Sequence, residues 1–229
     1  MMSSHLSRGH LATKALVRLL AGFTILAAML FLPAGTLAYW EAWVYLAALF
    51  VPMSLGLAYL LTNDPGLLER RMRTKEKDAG QSVIVKVGSV CYVLAFLLPG
   101  FDRRFGWTYV PVVAVIAADV LVLLAYGLYI LVLRENSYAS RVVEVEHGQR
   151  VVTTGPYAVV RHPMYLGALV MFLCTPFALG SWWAVIPVLP LPAVLVARIR
   201  NEEQLLMKDL KGYQNYIETT RYRLIPGLW

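Results

Sequence analysis

Apolar residues in this chain neither alternate nor recur at helical spacing; they form long unbroken runs separated by clumps of charge. Charge-free runs cover 19–40 and, after the single Glu41, 42–63. Each is long enough to cross a hydrocarbon layer of about 30 Å at about 1.5 Å per residue, so both are predicted as transmembrane helices. A third run, 87–101, has only 15 residues. It needs a tilt, a thinned bilayer or the apolar residues before Lys86 to complete a crossing. The fourth, over about 107–133, is interrupted only by Asp119. An unpaired carboxylate deep in the layer costs roughly 2.5 kcal/mol or more. Asp119 is therefore expected to face protein or water and to make a structural hydrogen bond between helices.

From 163 to 197 there are 35 uncharged residues, which as one helix would exceed about 50 Å. The chain must fold back, and Pro176 with the pair Gly180-Ser181 supplies the break. The predicted fold is all-α: a polytopic integral membrane protein of about six transmembrane helices, the last two forming a tight helical hairpin. No internal repeat, low-complexity tract or linker divides the sequence. Residues 1–229 are read as a single membrane domain, with four spans over 1–134 and a cofactor-binding, catalytic half over 135–229.

Composition narrows the picture further. With 59% hydrophobic and 15% charged residues and a mean hydropathy of +0.59, the chain is too apolar for a soluble domain or a disordered one. Two cysteines cannot staple a disulfide scaffold, and both Cys91 and Cys174 sit in apolar runs as small buried hydrophobes. The net charge of +7 matters through its distribution, and no nucleic-acid partner is expected. Three basic residues precede the first run, six fall in 70–86, four in 134–161 and six from Arg198 onward, against only Arg103 and Arg104 in the opposite loops. The positive-inside rule then places both termini and the two long loops in the cytoplasm of a plasma or inner membrane, with any chemistry facing inward. The run Arg70-Arg71-Met72-Arg73 is read as topogenic. A basic start, an apolar core and Thr36-Leu37-Ala38 also resemble a secretory signal peptide. The first run exceeds the usual core of roughly 7 to 15 residues, so it is expected to stay as a span.

Candidate chemistry gathers in the C-terminal half. Residues 134–141 read Arg-Glu-Asn-Ser-Tyr-Ala-Ser-Arg, followed by an expected extended piece at 142–146 and a turn forced by Gly155-Pro156. Pro163 marks a helix start, and His162 stands beside the unpaired N–H groups of its first turn, an end that attracts anions. Tyr165 shares a face with His162, and Gly167 removes bulk where a helix or ligand approaches. At the far end of the hairpin, Arg198 and Glu202 share a face at i,i+4. Antiparallel arms bring the two ends together at one pocket. The tail aromatics Tyr213, Tyr216, Tyr222 and Trp229 suit an interfacial belt.

The ordered set Gly155-Pro156-Tyr157, Arg161-His162-Pro163-Met164-Tyr165-Leu166-Gly167, an apolar hairpin, Arg198-x-Arg200-Asn201-Glu202-Glu203, Gly212-Tyr213-x-x-Tyr216 and Arg223-Leu224-Ile225-Pro226 resembles the isoprenylcysteine carboxyl methyltransferase and phospholipid methyltransferase family of integral membrane enzymes. The resemblance covers roughly the last 95 residues. It implies use of S-adenosyl-L-methionine without a Rossmann domain, and no Gly-x-Gly-x-x-Gly occurs in the chain. By position it assigns cofactor binding to Gln149, Arg150, Val151, Val152, Tyr157, His162, Pro163, Met164, Tyr165 and Glu202. It assigns Arg198 to the substrate side; Arg161, next to His162, adds a fixed positive charge and is read with Arg198 as catalytic, and methyl transfer from a sulfonium requires no metal. The expected function is methylation, at the cytoplasmic membrane face, of a membrane-associated acceptor, first of all a carboxylate on an isoprenoid or lipid-like molecule. Membrane lipids and a hydrophobic or prenylated acceptor are the expected partners. Two alternatives stand: an NADPH-dependent membrane reductase, since sterol reductases resemble this hairpin, and a non-catalytic membrane scaffold or transporter subunit.

Overall fold

The computed structural model describes residues 8–73, 79–140, 145–146 and 148–229. Every regular element among them is helical. Helices α1 (Arg8–Ala34) and α2 (Trp40–Asn63) take up the first two apolar runs, and α5 (Val112–Glu135) the fourth; these three are long and apolar enough to cross a membrane. Between them lie the short α3 (Pro65–Arg71) and α4 (Ala79–Phe105). At 27 residues α4 completes the short third run by adding turns at both ends, Lys86 included. Of the extended piece expected at 142–146, residues 142–144 lie outside the described residues, and Val145 and Glu146 belong to no helix or strand.

The apolar stretch from Pro163 does fold back. Helix α6 (Pro163–Ala178) is a shorter apolar helix that carries Pro176 inside its last turn; the chain reverses over 179–184. Three backbone hydrogen bonds close the turn, from Leu179 N to Thr175 O, Gly180 N to Phe177 O and Ser181 N to Pro176 O. The returning arm is not one helix, as the hairpin reading implied. It is split into α7 (Val185–Val188) and α8 (Leu191–Asp209), with Pro187, Pro190 and Pro192 around the break. Proline lacks the N–H for the helical ladder and its ring crowds the preceding turn, so three in six residues interrupt the helix. The final α9 (Tyr213–Thr219) follows.

Several contacts fix where the hairpin sits. A Cβ on Gly167 would lie 3.1 Å from the carbonyl oxygen of Ala125, so α6 rests directly on the backbone of α5. A buried cluster including Leu30, Tyr45, Phe96, Val122 and Leu179 joins α1, α2, α4 and α5 to the hairpin. At the turn end, Asp102 accepts from Thr108 N at 2.8 Å and from the Ser181 hydroxyl at 2.5 Å, and the Tyr39 hydroxyl donates to Leu179 O at 2.6 Å. The reversal is thus tied to α4 and α2, which sets the height of both arms at their opposite ends.

Asp119 faces protein, as expected, but the expected helix-to-helix hydrogen bond is not made. The residue is 4% exposed and neither carboxyl oxygen has a hydrogen-bond partner. The link between α2 and α6 at this depth is made by Tyr45 and Thr175, whose hydroxyls lie 2.7 Å apart, and Thr175 also donates to Met171 O at 2.8 Å.

Candidate functional site

The N-terminal end of α6 and the C-terminal part of α8 meet through side chains. The Tyr165 hydroxyl donates to Glu202 Oε2 at 2.6 Å and accepts from Arg198 Nε at 3.0 Å. Residues i and i+4 on α8 therefore converge on one hydroxyl of α6. The next residue, Glu203, is buried and faces three cationic or donor groups: Arg161 Nε at 3.1 Å, His162 Nε2 at 3.3 Å and Arg223 Nε at 2.8 Å. His162 caps no backbone N–H with its side chain; its ring is turned toward Glu203. The tail completes this arrangement, since Arg161 N donates to Tyr222 O and His162 N to Arg223 O, both at 2.9 Å.

Beside this junction is a cavity. Gln149, Arg150, Val151, Val152, Tyr157, His162, Pro163, Met164, Tyr165 and Glu202 all line it, and so does Arg161. Arg198 is not on its wall; it reaches the site through Tyr165. Eight further lining residues were not assigned from the sequence: Asn136, Tyr138, Ala139 and Ser140 after α5, Leu206 and Leu210 of the α8 end, and Tyr213 and Tyr216 of α9. Tyr213 and Tyr216, expected to suit an interfacial aromatic belt, are instead buried. Gly212 turns the chain there with φ +88°, a left-handed conformation suited to glycine, and so aims α9 inward. The motif Gly-Tyr-x-x-Tyr was the available signal.

The walls are braced from both sides. Asn136 Nδ2 donates to the Tyr157 hydroxyl at 2.9 Å, and the Tyr216 hydroxyl donates to Tyr157 O at 2.7 Å. Gln149 Oε1 accepts from Glu146 N at 2.9 Å, so this side chain folds its own loop. The basic run read as topogenic has a second use. Arg70 donates from Nε to Ser137 O at 3.1 Å, while Arg71 donates from Nη1 to Ala139 O at 2.7 Å and also bonds the Tyr129 hydroxyl, its guanidinium 5.0 Å over that ring. Helix α3, N-capped by Asp64 accepting from Leu67 N, therefore clamps the 137–139 loop that walls the cavity.

The electrostatics keep charges fixed and hydroxyls protonated. Burial alone would raise the Glu203 carboxyl, but the hydrogen bonds from His162 and Arg223 and the charges of His162 and Arg161 outweigh it and hold it low. Burial pushes Tyr157 and Tyr216 up to about 12, and Tyr213 above its ordinary range through burial and the nearby Glu203 and Glu202. At neutral pH the site presents tyrosine hydroxyls as donors beside the Glu203 carboxylate.

A second cavity of about 710 Å³ lies on the other face of the 155–163 strip, lined by residues including Leu128, Leu131, Val159 and Leu166. Pro163 belongs to both walls. Leu131 and Val159 are exposed and apolar.

Comparison with known proteins gives two findings. Residues 113–212 match the family model of phospholipid methyltransferase, a family that includes the isoprenylcysteine carboxyl methyltransferases. The match runs from α5 to the turn before α9. Delta(14)-sterol reductase of Mus musculus is 38% identical over 85 residues, which cover 36% of this chain and 20% of the reductase. The chain thus spans about a fifth of the length of that curated relative.

Proposed function

From the phospholipid methyltransferase match we propose that this protein transfers a methyl group from S-adenosyl-L-methionine, held in the cavity between α6, α8 and α9, to a membrane-associated acceptor. The observation that carries the reading is the single cavity on whose wall all ten residues singled out for cofactor binding lie, within the segment of the family match and its immediate tail. The donor set suits such a cofactor. Guanidinium and imidazole groups are available for its carboxylate, Glu202 for its hydroxyl or amino groups, and Tyr157 or Tyr165 for its adenine or sulfonium.

When bound, the cofactor supplies a methyl group on a sulfonium, which leaves by in-line displacement. The protein's task is then to align the reacting groups and exclude water. Tyr165 is held by Glu202 and Arg198 at once, so the aromatic ring has one orientation at the junction of the two arms. Arg198, behind Tyr165, is assigned to the acidic end of the acceptor. A carboxylate acceptor needs no general base; for an amine, His162 or a carboxylate takes the proton. The acceptor is an isoprenoid or lipid-like molecule carrying a carboxylate, and the cavity behind Pro163, walled by Leu128, Leu131, Val159 and Leu166 with Arg134 and Glu135 beside them, suits its tail. In this reading the chain crosses the membrane six times, with nineteen of its 21 basic residues and the active site on the cytoplasmic side.

The test is incubation of the purified protein with isotopically labelled S-adenosyl-L-methionine and total membrane lipid, followed by mass analysis of whatever gains one methyl for one hydrogen. A labelled lipid product that disappears in Glu202→Ala supports the reading. The similarity to a sterol reductase favours a second one, NADPH-dependent reduction. Retention of NADPH without retention of S-adenosyl-L-methionine decides for it.

A further inference from the structure

The tail that follows α9 closes on itself before it grips the site. Gly227, with φ +81°, reverses the chain, and the N–H groups of Arg223, Leu224 and Ile225 converge on Trp229 O at 3.0, 3.0 and 3.2 Å. The closure brings the Trp229 ring against the Arg223 guanidinium, with its centroid 5.1 Å from Cζ. The ring also packs against the buried cluster of Leu195, Ile199 and Leu224, so it is wedged between α8 and the cation. Arg223 in turn donates from Nε to Glu203 Oε2 at 2.8 Å, and its carbonyl accepts from His162 N at 2.9 Å. Arg223 is therefore held at four points, two on Trp229 and two on the residues of the site.

Exposure explains why such a restraint matters. The Arg223 side chain is 34% exposed, so water competes for its guanidinium, and a long side chain with many rotamers is held only weakly by one ion pair. A ring lying against the guanidinium removes that freedom and adds a cation–π attraction. We infer that Trp229 is a positioning residue of the site: its ring fixes Arg223 against Glu203, and so sets the carboxylate toward which the His162 ring is turned in the cavity wall. The inference concerns how that wall is built. It holds whichever ligand the cavity takes, and so stands apart from the methyltransferase reading.

Trp229→Leu keeps an apolar side chain and the backbone carbonyl but removes the aromatic face, whereas Trp229→Phe keeps a face. The readout is the melting temperature as a function of pH. Glu203 is faced by Arg161 and His162 ahead of α6, by Arg223 of the tail and by Tyr213 of α9. Burial would raise its carboxyl, but the hydrogen bonds from His162 and Arg223 and the charges of His162 and Arg161 hold it below the ordinary 4.5. The stability this confers is complete above 4.5 and is lost as pH falls through the lower folded value. Loosening Arg223 lets the carboxyl rise toward 4.5, so in Trp229→Leu the loss on acidification is expected to be smaller and to finish at a higher pH. Trp229→Phe is expected to restore the wild-type profile, and in an Arg223→Met background Trp229→Leu should leave the acid step as it finds it. Trp229→Met repeats the test if the leucine variant does not fold. A tryptophan that merely packs would lower the melting temperature equally at every pH. That outcome, a wild-type profile in Trp229→Leu, or additive effects of Trp229→Leu and Arg223→Met on the acid step overturns the inference.

Discussion

Glu203→Gln is the sharpest test of how the site is held together. The carboxylate is 5% exposed; its partners Arg161, His162 and Arg223 are 3%, 4% and 34% exposed. Glutamine keeps the shape and one acceptor oxygen, but replaces the other with an amide donor pointed at groups that themselves donate. The Arg161 charge is then buried without a counter-charge. Breaking a buried ion pair from one side costs about 3 to 5 kcal/mol. The more exposed Arg223 arm adds no more than about 1 kcal/mol after solvent screening. Most of the loss should therefore trace to Arg161. Thermal unfolding of ligand-free protein, in one detergent and at one scan rate, measures it. The control is the double variant Arg161→Met with Glu203→Met, which removes both charges and should cost less than either single change. Acid adds a second readout. Because the folded-state carboxyl lies below its ordinary 4.5, its contribution is complete above that value and is lost as pH falls through the lower folded one. The glutamine variant should lack this acid-dependent step. Wild-type melting in Glu203→Gln, or an acid step that persists in it, refutes the reasoning.

Arg71→Met releases Ala139 O and the Tyr129 hydroxyl from α3. Loss of a charge-assisted hydrogen bond worth about 1.5 kcal/mol should weaken S-adenosylhomocysteine binding roughly tenfold in a titration, and unchanged affinity would remove α3 from the account of the site. Gly167→Val places a Cβ 3.1 Å from Ala125 O and forces α6 off α5. A destabilisation of about 1 to 3 kcal/mol is expected, visible as a lowered melting temperature, and a variant as stable as wild type would show that the helices do not touch there.

The parts of this molecule that long apolar runs dictate were legible from the chain itself. Charge-free runs of bilayer length located α1, α2 and α5, and the excess length after Pro163 required a reversal at the place where Gly180 stands. The split of the returning arm was not read, although Pro187, Pro190 and Pro192 were in view, because an unbroken apolar run was given more weight than its prolines. Helix α3 does not stand out in the sequence, despite the Asp64-Pro65 start signal, because seven residues, Pro-Gly-Leu-Leu-Glu-Arg-Arg, are too few to display a helical period. In the site, order along the chain was enough to bring His162 and Tyr165 to Arg198 and Glu202. It was not enough to show that Arg71 reaches Ala139 across 68 positions, since no local pattern encodes such a contact. Asp119 marks another limit: burial followed from the cost of a carboxylate in hydrocarbon, but its lack of a hydrogen-bond partner among the described residues did not.

Two clasps of the cavity come from outside the stretch that matches the phospholipid methyltransferase family model. Arg70 and Arg71 grip one rim from a helix far upstream, and the backbone of Tyr222 and Arg223 grips the other from downstream. Residues 113–212 therefore behave as a cartridge seated in a frame. Transplanting that segment alone into a different membrane scaffold would carry over most of the lining of the cavity but not Tyr213, Tyr216 or either clasp, so a chimera should include α3 and the tail if it is to inherit the binding geometry.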